Sequence, residues 1–296
     1  MSKKRKAAKK STSARKPKSA AKRSTRSAWS VATSTRKSVE ERVAALAEVP
    51  LAVDDNEDNP QTLLDILRNE AEPLEVRLEA LQTLQAAGFS SATYESWRGD
   101  YIATLRKVAT DPNPELRQRA LGILAREKDG FAQKKLLEGL QDSEKALVPP
   151  EKALQLLSYD IHSEAYPVAR EIVEKPPSTV AKREALRLLA ADATATPLFE
   201  EVLRDKDEMA ENRQIAASVL QATKPDKLQK YAREILLDPS EYDDIQATAL
   251  TALTQFGDAE ALAEDNTLRK KVDKLSTGAS TKVKQSARRF LKKYSK

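Results

Sequence analysis

The most regular pattern along this chain is an alanine followed four positions later by a leucine. The pattern occurs seven times at intervals of 31 to 40 residues, as Ala80/Leu84, Ala120/Leu124, Ala153/Leu157, Ala185/Leu189, Ala216/Leu220, Ala249/Leu253 and Ala287/Leu291. A spacing of four places both side chains on one face of a helix, one turn apart. A small residue lets a neighbouring helix approach closely, and the leucine fills the space beside it. Repetition at this period therefore predicts a stacked array of helical units that bury their apolar faces against one another.

The same periodicity predicts an all-α fold, an α-solenoid of about seven stacked antiparallel helix pairs over residues 59–296. The first helices of the pairs are predicted near residues 60–69, 95–109, 131–141, 163–174, 196–205, 225–237 and 265–276. The second helices are predicted near residues 73–87, 114–127, 149–159, 179–191, 209–222, 241–255 and 280–294. Prolines at the expected helix starts fix φ and cost no internal hydrogen bond; they are Pro60, Pro73, Pro114, Pro150, Pro197 and Pro225. Pro167 lies inside the range 163–174, which indicates a later start for that helix.

Two segments precede the predicted array. Residues 1–37, called the basic tail below, are rich in Lys, Arg and Ser and contain too little apolar surface to offset the entropy of folding, so they are predicted to be disordered. Residues 38–58 are predicted to form a short helix and an acidic linker. Ser38 and Glu41 have the spacing of a capping box, and Val39, Val43 and Leu46 lie on one face of that helix.

The second helices resemble those of HEAT repeats, whose second helix shows an apolar residue, then Arg or Lys, then two variable residues, then Ala. Matching runs are Val76-Arg77-Leu78-Glu79-Ala80 and Leu116-Arg117-Gln118-Arg119-Ala120. Asp111-Pro112 and Asp238-Pro239 resemble the turn of that family, whereas Pro149-Pro150-Glu151-Lys152-Ala153 departs from it and predicts a distorted third unit. The resemblance implies a curved superhelix with the second helices on its inner surface. It does not imply one function, because such repeats serve many unrelated binding tasks.

Charge is distributed very unevenly along the chain. The net charge is +6, yet residues 1–39 hold fourteen Lys and Arg without an acid, while residues 40–276 hold 30 basic and 45 acidic residues, a balance of −15. Blocks of this kind act as interaction tails more often than as folded surface. The chain has no Cys, a single His and no apolar run of membrane-spanning length,. We therefore expect an intracellular protein, cytoplasmic, or nuclear if the source is eukaryotic.

The basic tail is the first candidate site, for nucleic acid or another polyanion. Its Lys and Arg side chains would neutralise phosphates and release counterions without reading sequence. The predicted contact residues are Lys3, Lys4, Arg5, Lys6, Lys9, Lys10, Arg15, Lys16, Lys18, Lys22, Arg23 and Arg26. Two alternatives stay open: a nuclear import signal at residues 3–6, and a solubility tail that folds back on the acidic body.

The second candidate site is the inner surface that the resemblance implies. Arg119, Lys152, Arg183 and Arg187 are predicted to form a small basic island there. The alternative is a solvated face with local ion pairs. A protein partner is predicted on the surface of the solenoid, and no membrane partner is expected.

A third feature is the group Tyr94, Trp97, Arg98 and Tyr101. It has a faint similarity to alkylpurine DNA glycosylases built on HEAT-like repeats, in which Asp100 would be the candidate acid. Core packing of an atypical first helix is the favoured interpretation. Trp29 either docks on the body or contacts an external partner, and His162 is interpreted as a loop residue.

Three hypotheses of function follow from these features. The first is a non-enzymatic binding scaffold whose helical body binds a protein and whose basic tail contacts nucleic acid or another polyanion. The second is an enzyme, most specifically a HEAT-like DNA glycosylase, and the third is a structural adaptor with a solubility tail. No Gly-rich phosphate loop, paired-carboxylate signature or metal-ligand cluster is visible, so no catalytic residue, cofactor or metal is predicted.

Overall fold

The structure, a computed structural model, describes residues 28–49, 58–90, 94–160, 163–278 and 280–294. These residues are helical and contain no strand, and the helices pack as neighbouring pairs, so the predicted all-α repeat fold is confirmed. The chain divides into two compact units, Met1–Leu124 and Ala125–Lys296.

The described residues of the first unit form a short helical segment at residues 28–32 and five longer helices. These are α1 (Val39–Ala47), α2 (Asp58–Arg68), α3 (Leu74–Ser90), α4 (Tyr94–Val108) and α5 (Pro114–Arg126), of which the last two residues belong to the second unit. α2 pairs with α3, α1 packs on α3, and α2 packs on α4. Second helices therefore contact second helices, and first helices contact first helices, as in a stack of hairpins.

The second unit continues the same arrangement. Its helices are α6 (Gly130–Gln141), α7 (Pro150–Leu157), α8 (Tyr166–Glu174), α9 (Thr179–Leu189), α10 (Thr196–Arg204), α11 (Ala210–Thr223), α12 (Pro225–Leu237), α13 (Asp243–Phe256), α14 (Ala259–Glu264), α15 (Asn266–Gly278) and α16 (Thr281–Tyr294). The pairs are α6–α7, α8–α9, α10–α11, α12–α13 and α15–α16, while α7, α9, α11, α13 and α16 pack successively. α14 was not predicted from the sequence. Pro167 is the second residue of α8, which explains the later start of that helix.

The Ala/Leu pairs form the core of the stack. In the first six pairs both side chains are buried, each with an exposed fraction of 4% or less. In the seventh pair Ala287 is buried but Leu291 is half-exposed. α16 is the last described helix, and Phe290 and Tyr294 fill its contact with the preceding helices instead.

A buried arginine links successive helix pairs in the second unit. The guanidinium of Arg213 donates from Nε to the carbonyl of Leu203, ten residues earlier, at 2.9 Å. Its two terminal nitrogens donate to the two carboxylate oxygens of Glu241, at 2.8 and 2.7 Å. The two side chains are only 1% and 2% exposed. One side chain thus joins the first helix of its own pair to the turn before α13.

The same bridge recurs in the first unit. Arg42 donates from Nε to the carbonyl of Ala32 at 2.9 Å and pairs with Glu72 at 2.6 Å. Arg77 donates from Nε to the carbonyl of Leu67 at 3.0 Å and pairs with Asp111 at 2.5 Å. In each case Nε reaches the residue ten positions earlier and the acid lies in a later turn. We call Arg42, Arg77 and Arg213 the bridging arginines.

The bridging role of Arg42 changes the amino-terminal boundary of the body. Residues 28–32 are helical and Ala32 is fully buried, so ordered structure extends into the range 1–37 that was predicted to be a disordered tail. The Ser38–Glu41 capping box is present. The buried face of α1 differs from the predicted one, because Arg42, Ala45 and Leu46 are buried whereas Val39 and Val43 are half-buried. The acidic residues 54–57 of the linker lie outside the described residues.

The third predicted unit departs from the others, as its prolines indicated. α7 has only eight residues and begins at Pro150, after a 3₁₀ turn at Ser143–Lys145. Gly139 permits this turn to approach α6, because a Cβ on Gly139 would lie 2.9 Å from the Cα of Ala146. Substitution of Gly139 would therefore displace backbone.

We predict that removing one partner of the buried bridge destabilises the second unit strongly. Arg213→Met leaves Glu241 charged and unpaired in a buried position, which costs about 3–5 kcal/mol of unfolding free energy. The matched control is Arg233→Met, because Arg233 pairs with Asp265 at 2.5 Å but its side chain is 44% exposed. That change should cost ~1 kcal/mol or less. Urea unfolding measures both, and equal losses would contradict the buried-bridge interpretation.

We also predict that the bridge makes stability depend on acid pH. Burial alone would raise the pKa of Glu241, but hydrogen bonds from Arg213 and from the Tyr242 N–H outweigh it and hold the pKa below the ordinary value of 4.5. A carboxyl group with a lowered pKa contributes stability above its ordinary value, and this contribution is lost as pH falls through the folded-state pKa. Thermal melts between pH 7 and pH 3 should therefore fall less steeply for Glu241→Gln than for the native chain. Asp244→Asn, on the exposed surface, is the control, and parallel slopes for all three chains would refute the idea.

Candidate binding surfaces

The predicted contact residues of the basic tail, Lys3 to Arg26, lie outside the described residues. Trp29 is half-buried in the helical segment at residues 28–32. Its indole nitrogen is buried without a hydrogen-bond partner among the described atoms. His162 also lies outside the described residues.

Two of the three second-unit members of the predicted basic island, Arg183 and Arg187, are ion-paired with neighbouring acids. The Arg187 guanidinium lies 2.7 Å from the carboxylate of Glu184, which is itself buried. Arg183 lies 3.2 Å from the Glu211 carboxylate and 3.7 Å from that of Glu184. Lys152 donates to the side-chain oxygen of Gln155 at 2.9 Å. The charges of Arg183 and Arg187 are thus compensated by acids, whereas Lys152 is hydrogen-bonded to a neutral amide.

Arg119, the first-unit member of that predicted set, is compensated in the same way. Its guanidinium lies 2.7 Å from Glu115 on the preceding turn of α5, and both side chains are about half exposed. Exposed pairs of this spacing contribute only ~0.3–0.5 kcal/mol to stability. Their main effect is to cancel the local positive potential that would attract a polyanion.

Local compensation is common elsewhere in the second unit. Lys227 and the Tyr231 hydroxyl both donate to Glu200, at 2.5 and 2.6 Å, and they lower the pKa of this carboxyl group. The Arg233 guanidinium lowers the pKa of Asp265. Residues 125–265 contain 18 basic and 28 acidic residues, a balance of −10, so the surplus charge of this stretch is negative.

The charge changes sign at the carboxy-terminal helix pair. Residues 266–294, which form α15 and α16, contain ten Lys and Arg and one acid, Asp273, a balance of +9. Seven of the ten cations make no side-chain hydrogen bond or ion pair to the described residues: Lys270, Lys271, Lys274, Lys284, Arg288, Arg289 and Lys292. We call these seven residues the terminal basic surface.

Helical spacing separates the cations of α16 into two sides. Lys282 lies 2.6 Å from Asp244, and Lys293 donates to the carbonyl of Thr254, so both reach α13. Lys284, Arg288 and Lys292 are spaced by four residues and form a stripe on the side of α16 turned away from α13. Arg288 and Lys292 are exposed and Lys284 is half-buried.

The opposite face of α16 anchors the helix. Val283, Ala287 and Phe290 are fully buried, and Tyr294 is 5% exposed. The Tyr294 hydroxyl donates to the carbonyl of Leu253 at 2.7 Å. The stripe therefore stands on a helix fixed by its own apolar side. The sequence predicted the helix near residues 280–294, and the four-residue spacing of its cations was the signal available for the stripe.

A cleft of about 210 Å³ lies beside Arg187. Tyr159, Tyr166 and Asp160 also line it, and the side chain of Tyr159 is 46% exposed. The Tyr166 hydroxyl is buried without a hydrogen-bond partner among the described atoms, and burial, followed by the charge of Asp192, raises the pKa of this group. Tyr and Arg are the residue types that dominate protein–protein hot spots.

The aromatic group of α4 belongs to the core, which agrees with the favoured interpretation. Trp97 and Tyr101 are 7% and 3% exposed, and their ring centroids lie 5.8 Å apart. Tyr94 packs edge-on against Trp97 at 4.8 Å. Asp100 is exposed on the same helix. With Trp97 and Tyr101 buried, neither ring is available to stack on an extruded base.

Two further findings concern the described residues alone. They hold no cluster of three or more His, Cys, Asp or Glu side chains suited to a metal ion. None of the helices within the described ranges is long and apolar enough to cross a bilayer.

Comparison with known proteins gives a family match over part of the chain. Residues 60–157 match the family model described as HEAT repeats, in agreement with the resemblance of the second helices. A search of curated proteins found no significant match. Among solved structures, human deoxyhypusine hydroxylase in complex with glycerol aligns with 16% identity over 79% of this chain and 95% of that chain, with a TM-score of 0.34. A TM-score this low supports no inference about function.

We predict that neutralising Arg187 has little effect on affinity for nucleic acid. Its charge is already compensated by Glu184 at 2.7 Å. The remaining change is screened beyond about 8 Å at physiological salt. Arg187→Gln should therefore alter the Kd for a labelled DNA duplex less than about twofold by fluorescence anisotropy. A tenfold loss would show that the inner-surface cations bind polyanions directly.

Proposed function

We infer that this chain, whose residues 60–157 match the HEAT-repeat family model, is a non-enzymatic binding scaffold. Its helical body binds a protein partner, and its basic tail contacts nucleic acid or another polyanion. The observation that carries this proposal is the separation of charge. Twelve of the 18 Lys and Arg of residues 125–265 are paired with acids, whereas residues 1–27 contain twelve Lys and Arg and no acid.

The protein partner is assigned to the cleft beside Arg187. Tyr159 is half-exposed at its rim, and Arg187 and the buried Tyr166 hydroxyl provide polar groups around it. A protein contact at this cleft would cover the exposed ring of Tyr159. Such a contact supplies binding energy through a few desolvated aromatic and arginine side chains. Arg187 is the residue of the predicted inner-surface set that supports this part of the proposal.

The two parts of the proposal rest on different physics. Polyanion binding through a Lys- and Arg-rich segment depends on counterion release, so it weakens steeply with salt and reads no base sequence. Protein binding at a cleft with aromatic rims depends on burial and changes little with salt. Salt dependence therefore separates the two activities in a single preparation.

We predict that the basic tail accounts for a large share of the salt-dependent affinity for nucleic acid. The test compares the native chain with a chain of equal length, the neutral-tail chain, in which the twelve Lys and Arg of residues 1–27 are replaced by Gln. If about six of them contact phosphates, the log–log slope of affinity against salt should fall by ~5. The affinity for a DNA duplex at low salt should fall more than about tenfold.

The neutral-tail chain keeps the length and the helical body, so a difference reports the charge of the tail alone. Equal Kd values and equal salt slopes for the two chains would reject the role of the basic tail. The Tyr159→Ala variant should leave the salt slope unchanged, because Tyr159 carries no charge.

A further inference from the structure

We propose that the terminal basic surface of α15 and α16 is a folded binding site for the phosphate backbone of duplex nucleic acid. This inference goes beyond the proposed role of the basic tail, because it places a second polyanion site on ordered helices. It rests on the described residues of the second unit alone.

The first reason for this proposal is that the cations of the terminal basic surface are not paired with acids. In residues 125–265, twelve of the 18 Lys and Arg side chains lie within 3.9 Å of an acid, among them the exposed Lys128, Lys134 and Lys145. On α15 and α16, seven cations are exposed or half-buried and make no ion pair with an acid of the described residues, and Asp273 is the one acid on these two helices. Seven like charges on two adjacent helices repel one another, which lowers stability unless a counter-charge binds. A polyanion would supply that counter-charge and release its condensed ions.

The second reason is that three of these cations form a straight row along α16. Lys284, Arg288 and Lys292 occupy successive turns of α16 and extend over about 12 Å, at 1.5 Å per residue. A DNA duplex presents one phosphate charge per ~1.7 Å of its axis, so several phosphates lie within that length. The buried face of α16 holds the three Cα positions in a fixed row, which reduces the ordering cost of binding compared with a disordered segment.

Among the described residues of this face, exposed aromatic side chains are absent and apolar ones are few, which favours a duplex over other partners. Phe290 and Tyr294 of α16 are buried, so this helix offers no exposed ring for stacking on the bases of a single strand,. Protein interfaces are depleted in Lys and centre on buried aromatic anchors. The terminal basic surface is instead rich in Lys, and Leu291 is the apolar side chain of α16 that is half-exposed there. A backbone contact that reads charge alone fits this composition.

The decisive variant is Lys284→Gln combined with Arg288→Gln and Lys292→Gln, made in both the native and the neutral-tail chain. Glutamine keeps the helix propensity and removes three charges. The Kd for a blunt DNA duplex should rise about tenfold at low salt, and the log–log slope should fall by ~3, close to one per phosphate contact. Melting temperature and far-UV circular dichroism establish that the helices are intact.

The matched control removes three charges from the same unit. Lys128→Gln, Lys134→Gln and Lys145→Gln change side chains that are 62%, 76% and 64% exposed but already paired with Asp160, Glu138 and Asp142. This control should change the Kd less than about twofold, because the pairing has cancelled most of the local potential. Equal effects of the two triple variants would overturn the proposal, since they would reflect net charge rather than a site.

The same binding measurement with other polyanions identifies the class of ligand. Duplex RNA should lose affinity in parallel with duplex DNA, because both present phosphates along a rigid rod. Tighter binding of single strands than of duplexes, or binding of polyglutamate without binding of duplex DNA, would overturn the assignment. The neutral-tail chain separates the two proposals. If the triple variant raises the Kd in that chain as well, the result supports this site whether or not the tail contributes. Loss of all duplex binding in the neutral-tail chain would reject this site and leave the tail as the binding element.

Discussion

The burial of an arginine between one helix pair and the next is the interaction on which the described units depend. Removing a guanidinium from water costs several kcal/mol, so the site must supply acceptors in the right directions. Arg213 meets three: the Leu203 carbonyl and both oxygens of Glu241. One acceptor belongs to the same helix pair and two belong to the following turn. A shift of one helix pair against the next would leave the buried guanidinium without its acceptors. The bridge therefore favours a single register of the two pairs.

This constraint also explains what the sequence could and could not predict. The apolar residue before Arg77 and the alanine after it identified the second helix, because both lie on its buried face. The acid could not be predicted, because the turns differ in length: the bridging arginines find their acids 28, 30 and 34 residues later. Arg117 has the same local motif as Arg77, and its guanidinium donates to the carbonyls of Asp111 and Pro112 in the turn before its own helix.

The candidate surfaces were less predictable than the helices for a related reason. Helical periodicity is a local property, whereas the compensation of a charge depends on residues from another helix. Arg183 was predicted as part of a basic island, but its partner Glu211 comes from α11, which only the fold brings within 3.2 Å. Residues 28–32 show the same limit. These five residues, Ala-Trp-Ser-Val-Ala, lie within the range of the basic tail but contain no Lys or Arg, and the Ala32 carbonyl accepts a hydrogen bond from Arg42 of α1.

Among the described helices, none packs on the side of α16 that is turned away from α13. A side of a stacked repeat that is left uncovered must be polar. Any charged or uncharged polar residue would satisfy this requirement. In α16 the choice is almost wholly cationic, with Leu291 left half-exposed beside Lys292, while the preceding stretch of the same unit carries a balance of −10. At physiological salt the potential of each region decays over about 8 Å, so neither cancels the other at contact distance. A polyanion approaching this unit is therefore repelled along its acidic part and attracted at its end, and solubility alone would not require that division.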